Sequence, residues 1–78
     1  MQKPLLVRVD WDDEARVWVA DSDDVPGLAT EGETVEALVA KVKVMIPELL
    51  ELNGVPGQGE IPFEVLIRRF DTTLRAAA

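Results

Sequence analysis

The sequence predicts an α+β domain of two layers, in which one helix covers one face of a four-stranded sheet. Three observations predict this class. Two segments near the N-terminus alternate apolar and polar residues, a long apolar stripe with helical spacing follows, and a last alternating segment comes after it. The order βββαβ makes the first three strands an antiparallel meander. The last strand is then a return strand beside the first, reached across one face of the sheet.

The first two strands are predicted to form a hairpin. Every second residue from Leu5 to Trp11 is apolar, which is typical of a half-buried strand. Acidic residues at 12–14 interrupt the pattern before a second strand resumes at Val17. A further acidic run, Asp21-Ser22-Asp23-Asp24, ends that strand.

A short third strand, a long helix and a last strand complete the predicted elements. Residues 28–32 form an edge strand after the turn sequence Asp24-Val25-Pro26-Gly27, and Thr34 is a typical helix N-cap. The apolar stripe continues in phase on both sides of Pro47, which predicts one helix with a kink that ends near Gly54. Its members are Val35, Leu38, Val39, Val42, Met45, Ile46, Leu49 and Leu52. Phe63, Val65 and Ile67 alternate in the last strand.

The length indicates one domain over residues 1–78, ordered from about residue 4 to residue 70 and followed by a frayed tail over residues 71–78. The 8 Lys+Arg and 15 Asp+Glu give a net charge of −7, which disfavours direct binding of nucleic acid because that binding depends on basic side chains. No apolar segment approaches the roughly 20 residues that cross a bilayer, and no signal-peptide pattern opens the chain. We therefore expect a cytoplasmic protein that does not bind membranes.

The composition also argues against catalysis. The chain has no Cys and no His, so a disulfide, a thiolate nucleophile, an imidazole base and a conventional zinc site are all excluded. The glycines have no phosphate-binding spacing. We expect no enzyme, no catalytic residue, no cofactor and no metal. One alternative is a metal-assisted hydrolase that uses the carboxylates of Asp10, Asp12, Asp21 and Asp24, although their spacing lacks the calcium-loop pattern.

Acidic residues crowd two loops. Asp12 and Asp13 lie in the first, and Asp23 and Asp24 lie at the end of the second strand. Solvated loop acids are one interpretation of these clusters, and an acidic edge that binds a partner is the other.

Strict alternation places Trp18 on the sheet face opposite Val17 and Val19. If the helix covers the valine face, the other face is open and carries an apolar and basic patch. This predicted partner or dimer face consists of Leu6, Arg16, Trp18, Ala20, Leu66, Arg68 and Phe70. We expect a two-fold homodimer through this face or through an exposed edge strand. The alternative is a register that differs by one residue, which turns every side chain of a strand to the other face.

Several segments carry a resemblance to a known family. They are Val9-Asp10-Trp11-Asp12, Val17-Trp18-Val19-Ala20, the run from Ser22 to Leu28, the run from Thr34 to Leu38, and the run from Val44 to Gly54. From Lys3 to about Arg69 the chain resembles the short domain-of-unknown-function family 1902, the stand-alone branch of the HicB-like antitoxin domains.

The resemblance implies a HicB-type fold, a partial ribonuclease-H-like sheet with one helix and no ribonuclease active site. It also implies a non-catalytic antitoxin-like module that blocks a small basic RNA-cleaving toxin of the HicA type. The chain ends soon after the last strand, so we expect no DNA-binding segment and no autorepression by this chain alone. The alternative function is a stand-alone homo-oligomeric scaffold or small-ligand-binding domain without a toxin partner.

Overall fold

The computed structural model describes residues 3–57 and 59–76 and contains four strands and one helix in the predicted order. These elements are β1 (Leu5–Asp12), β2 (Val17–Asp21), β3 (Ala29–Gly32), α1 (Val35–Leu52) and β4 (Phe63–Arg68). The sheet has the order β3-β2-β1-β4. β2 pairs antiparallel with both β1 and β3, and β4 runs parallel to β1. The predicted α+β class is confirmed, with one helix and a four-stranded mixed sheet.

The core lies between α1 and one face of the sheet. Its buried side chains are Val7, Val9 and Ala20 from the sheet, Val25 and Leu28 from the β2–β3 loop, and Leu38, Val42 and Ile46 from α1. Burying an aliphatic side chain of this size contributes about 1.5–3 kcal/mol. These residues, with the partly buried side chains packed against them, therefore hold the two layers together.

One member of the predicted helical stripe does not face the core. Leu52 is 81% exposed, whereas Leu50 packs against the core cluster. At 3.6 residues per turn, Leu50 lies about 40° around the helix from the buried Ile46, and Leu52 lies about 120° away. The stripe therefore turns toward Leu50 in the last turn.

Both ends of α1 are capped as predicted. The Thr34 hydroxyl oxygen accepts a hydrogen bond from the N–H of Ala37 at 3.0 Å. At the other end, Gly54 has a φ of +72° and its N–H donates to the carbonyl of Glu51. The helix is continuous through Pro47.

Two glycines position β3 beneath the helix. Gly27, with a φ of +89°, follows Pro26 in a turn that the N–H of Leu28 closes on the carbonyl of Val25. Gly32 is buried, and a Cβ at this position would lie 3.0 Å from the backbone nitrogen of Leu38. The absence of a side chain at Gly32 thus lets β3 approach the first turns of α1 closely.

Beyond β4 the chain leaves the body of the domain. Residues 69–76 form no helix or strand. The predicted frayed tail, 71–78, overlaps this segment, and residues 77 and 78 lie outside the described residues. The radius of gyration is 15.7 Å and the longest dimension is 60 Å, whereas a compact chain of this length has a radius of about 11–12 Å. Within the described residues, no helix is long and apolar enough to span a membrane.

Candidate functional site

The turn between β1 and β2 determines which side of β2 faces the helix. The N–H of Arg16 donates to the carbonyl of Asp12 at 2.8 Å, and Arg16 has a φ of +59°. The carboxylate of Asp12 accepts hydrogen bonds from the N–H groups of Glu14 and Ala15. Residues 13–16 therefore form a closed loop whose length determines the register of the hairpin.

Trp18 and Ala20 lie on the helix side of the sheet, so their predicted placement on the open face is wrong. Val9 lies opposite Ala20 and Trp11 lies opposite Trp18, and directly opposed residues of antiparallel strands share a face. Val9 and Ala20 are both buried in the core. The alternation within β2 is as predicted, but the loop length pairs odd positions of β1 with even positions of β2. Val17 and Val19 therefore face away from α1.

The sheet face that α1 does not cover, called the open face below, is defined by this register. It consists of Leu6, Arg8, Asp10, Asp12, Val17, Val19, Asp21, Ala29, Glu31, Glu64, Leu66 and Arg68. Leu6, Leu66 and Arg68 of the predicted patch lie on it. Arg16 lies outside the strands and stacks on Trp11, and Phe70 lies beyond β4.

Both arginines of the open face are paired with acidic side chains. The guanidinium of Arg8 donates to Asp21 at 3.0 Å and makes two bonds to Asp23, at 2.9 and 3.1 Å. These contacts, those to Asp23 first, raise the pKa of Arg8 above its usual range. Arg68 lies 4.0 Å from the carboxylate of Asp10. The carboxylates of the face outnumber its two guanidinium groups, so its net charge is negative.

Apolar side chains lie between these charges. Val19 of β2 is 37% exposed and Leu66 of β4 is 49% exposed. Val17 and Leu6 are half-buried on the same face. The open face thus combines solvent-exposed apolar groups with excess negative charge, which matches a partner surface that is apolar and basic.

The predicted acidic edge divides into two separate clusters. Asp12 and Asp13 precede β2 and Asp23 and Asp24 follow its end, so the length of the strand, about 17 Å, separates them. Asp13 pairs with Arg16 at 2.9 Å, and Asp24 accepts the N–H of Leu6 at 2.7 Å. The two clusters therefore lie at opposite ends of β2, where Asp12 and Asp24 each accept backbone N–H groups.

The carboxylates of the alternative metal site do not lie close together either. Asp12 and Asp24 lie at opposite ends of the hairpin, and Asp10 pairs with Arg68. Among residues 3–57 and 59–76, no group of three or more ligating side chains lies close enough to hold a metal ion.

Sequence reasoning missed a cluster of aromatic and basic side chains at the end of the sheet where α1 begins. The rings of Trp11 and Trp18 meet edge to face, with centroids 5.1 Å apart. The guanidinium of Arg69 lies 4.7 Å from the Trp11 ring and 5.9 Å from the Trp18 ring, and that of Arg16 lies 5.3 Å from Trp11. Assigning residues 13–16 to the loop would have predicted that Trp11 and Trp18 lie opposite each other. Nothing in the sequence indicates that Arg69 joins them.

An open groove of about 710 Å³ lies between the C-terminal half of α1 and the loop after it. Leu50, Val55 and Ile61 contribute apolar surface, and Glu51 and Glu60 contribute carboxylates. No basic side chain is among the described residues that line it. The groove is therefore better suited to an apolar or cationic group than to an anion.

The chain matches one family model and is similar to a protein of known structure. A family model described as "Domain of unknown function (DUF1902)" matches residues 4–75. The chain is also similar to a hypothetical protein, TTHA1013, whose crystal structure comes from the extremely thermophilic bacterium Thermus thermophilus. The two are 53% identical, the match covers 92% of this chain and 99% of that one, and the TM-score is 0.70. A search of the curated proteins finds no match.

Proposed function

The chain belongs to the DUF1902 family. From this premise we propose that it is a non-catalytic, antitoxin-like module. In this proposal its open face binds a small basic RNA-cleaving toxin. The observation that carries the proposal is the composition of that face. It combines excess carboxylates with the exposed side chains of Val19 and Leu66, opposite a helix layer that holds the domain together.

Electrostatics favours a basic partner. The whole chain has a net charge of −7, so it attracts a cationic protein from a distance and repels nucleic acid. Arg8 and Arg68 are neutralised by neighbouring acids, whereas no ion pair within the described residues engages Glu31 or Glu64. These carboxylates are free to pair with Lys or Arg of a toxin that would otherwise bind the phosphates of RNA.

The resemblance to HicB-like domains supports the identity of the partner. The turn Asp24-Val25-Pro26-Gly27 and the run Met45-Ile46-Pro47-Glu48-Leu49-Leu50 carry the resemblance. In the structure, the first of these closes the β2–β3 loop and the second contributes Ile46 to the core. Both segments therefore stabilise the scaffold that carries the open face.

The proposal predicts that a gene for a small basic protein lies beside the gene for this chain in its native genome, and the test uses that protein. The two purified proteins are mixed, and RNA cleavage by the basic protein is measured with and without the full chain. We expect inhibition at an equimolar ratio and weaker binding as salt concentration rises. A genome without such a neighbouring gene, or undiminished RNA cleavage in the mixture, would contradict the proposal.

A matched pair of variants locates the binding surface. Val19→Lys places a cation in the centre of the open face, and Val44→Lys makes the same change on α1, where the side chain is 60% exposed. We expect Val19→Lys to weaken toxin binding at least tenfold and Val44→Lys to leave it within twofold. Equal effects of both variants would show that the toxin does not bind the open face.

A stand-alone homo-oligomeric scaffold or small-ligand-binding domain is the second candidate. The observation that favours it is the open groove beside Leu50 and Ile61. Titration with small apolar and cationic compounds, followed by NMR of the amides at Val55 and Ile61, tests this function. Shifts at these amides without any binding of the basic protein would support the second candidate over the first.

A further inference from the structure

The segment after β4 carries the two most exposed large apolar side chains of the described residues. This segment, residues 69–76, is called the C-terminal arm below. Phe70 is 90% exposed and Leu74 is 97% exposed. Exposed apolar groups that cluster in this way usually mark an interaction site. Within residues 3–57 and 59–76, nothing therefore covers the side chains of Phe70 and Leu74.

The arm continues the side-chain alternation of β4. The Nε of Arg69 lies 3.7 Å from a carboxylate oxygen of Asp71, and side chains two positions apart lie on the same side of an extended strand. Leu66 lies on the open face. Extended from Asp71 to residue 74, this alternation places Phe70 and Leu74 on the same side as Leu66, so we infer a side that is apolar at every fourth residue.

The arm leads out of a strand whose outer edge is unpaired. β4 is the last strand in the sheet order, and the described part of the chain places no strand beyond it. The N–H of Leu5 donates to the carbonyl of Pro62 at 3.0 Å, so even-numbered residues of β4 direct their backbone groups toward β1. The N–H and C=O groups of Phe63, Val65 and Ile67 therefore face the free edge, where they form a template for another strand.

We propose that two copies of the chain pair their β4 strands and C-terminal arms antiparallel, about a two-fold axis at Phe70. In this register Phe70 lies opposite Phe70 of the second copy, and Leu66 lies opposite Leu74. Arg69 lies opposite Asp71, so opposite charges also meet. The apolar side chains of each arm then contact those of the other across the strand pair, and the two-fold axis closes the interface.

Neighbouring registers are less complementary. An axis at Arg68, Arg69 or Asp71 sets two like charges directly opposite each other, which is destabilising. An axis at Leu66 pairs Glu64 with Arg68 but leaves Phe70 and Leu74 beyond the partner strand. The register at Phe70 gives both exposed side chains an apolar cross-strand neighbour and sets no like charges opposite each other.

Sedimentation equilibrium of the full chain at about 50 µM tests the association, because a weak dimer is populated at this concentration. We expect twice the chain mass of 8.6 kDa. Phe70→Glu is expected to sediment as a monomer. Leu52→Glu makes the same kind of change at a similarly exposed position of α1 and is expected to sediment as a dimer. A monomeric wild type, or a dimeric Phe70→Glu that remains folded by circular dichroism, would overturn the proposal.

The register is tested by disulfide formation, since the chain has no cysteine of its own. Residues 66 and 74 are expected to form a non-hydrogen-bonded pair with Cα atoms about 4.5 Å apart, within the range that a disulfide bridges. A mixture of Leu66→Cys and Leu74→Cys should give the mixed covalent dimer under mild oxidation. Each variant alone should give no more covalent dimer than Leu52→Cys.

A covalent dimer of Leu66→Cys alone, in excess of the Leu52→Cys control, would place the axis at Leu66 and contradict the proposed register. No toxin is present in either experiment, so these results stand apart from those that test toxin binding.

Discussion

The carboxylate of Asp24 accepts a hydrogen bond from the backbone N–H of Leu6 at 2.7 Å, across 18 positions of sequence. The hydroxyl of Ser22 donates to the carbonyl of Leu6 and accepts the N–H of Asp24. β2 ends at Asp21, opposite Arg8, so Leu6 lies beyond the last residue of β1 that pairs with β2. The two loop side chains therefore satisfy backbone groups that a longer β2 would have paired.

Replacing Asp24 should destabilise the domain more than replacing its neighbour. Asp24→Ala leaves the N–H of Leu6 without its acceptor, which costs about 1–3 kcal/mol. Asp23→Ala removes a solvent-exposed ion pair with Arg8, and such pairs contribute about 0–1 kcal/mol. Urea unfolding measures both, and hydrogen exchange at the Leu6 amide should accelerate only in Asp24→Ala. Equal losses in the two variants would contradict this account of the loop.

The close approach of β3 to α1 predicts that Gly32→Ala is destabilising. The added Cβ would lie 3.0 Å from the nitrogen and 3.1 Å from the Cα of Leu38, and neither backbone atom can move without shifting the helix. Overpacking of this kind costs about 1–3 kcal/mol. Thermal unfolding of Gly32→Ala and of Glu33→Ala, an exposed neighbour, provides the comparison. A stabilised Gly32→Ala would show that reduced entropy of the unfolded chain outweighs the contact.

The location of Trp18 on the helix side predicts that Trp18→Glu weakens the fold itself. The ring packs against the core cluster and against Trp11, so a charged side chain there loses apolar burial. We expect a loss of about 2–4 kcal/mol. Leu66→Glu makes a comparable change on the open face and should cost less than about 1 kcal/mol. Should the two variants unfold at the same urea concentration, the face assignment would be incorrect.

Because Arg69 stacks on Trp11 and Trp18, its removal should change the fluorescence of the two tryptophans. Arg69→Ala removes the cation from the faces of Trp11 and Trp18 and should cost about 0.5–1 kcal/mol. The emission maximum of the chain, which has only these two tryptophans, is expected to shift to longer wavelength as both rings become more hydrated. Arg68→Ala, on the open face, serves as the control and should leave the spectrum unchanged. A shifted spectrum in the control alone would contradict the stacking.

Much of the fold follows from local sequence patterns. The alternation from Leu5 to Trp11 predicts β1, and the stripe that includes Leu38, Val42 and Ile46 predicts the buried side of α1. Thr34 and Gly54 predict the helix ends, because a hydroxyl N-cap and a positive-φ glycine act on adjacent backbone groups. Each of these features depends on residues within a few positions of one another.

The composition of the candidate site was predicted only in part. Leu6, Leu66 and Arg68 lie on the open face, as expected, because β1 and β4 keep the predicted alternation. Trp18 and Ala20 do not, and Val17 and Val19 take their places. Asp12 and Asp24, which the alternative metal site would have combined, lie at opposite ends of the hairpin and each accept backbone N–H groups there.

The sequence by itself determined the elements, their order and the period of each strand. Only the tertiary structure decided which side of β2 faces α1. That choice depends on the loop from Asp12 to Arg16, whose closure and positive φ at Arg16 set the pairing of Trp11 with Trp18. Because side chains alternate with a period of two, a difference of one residue in this loop exchanges the buried and the open faces of the strand.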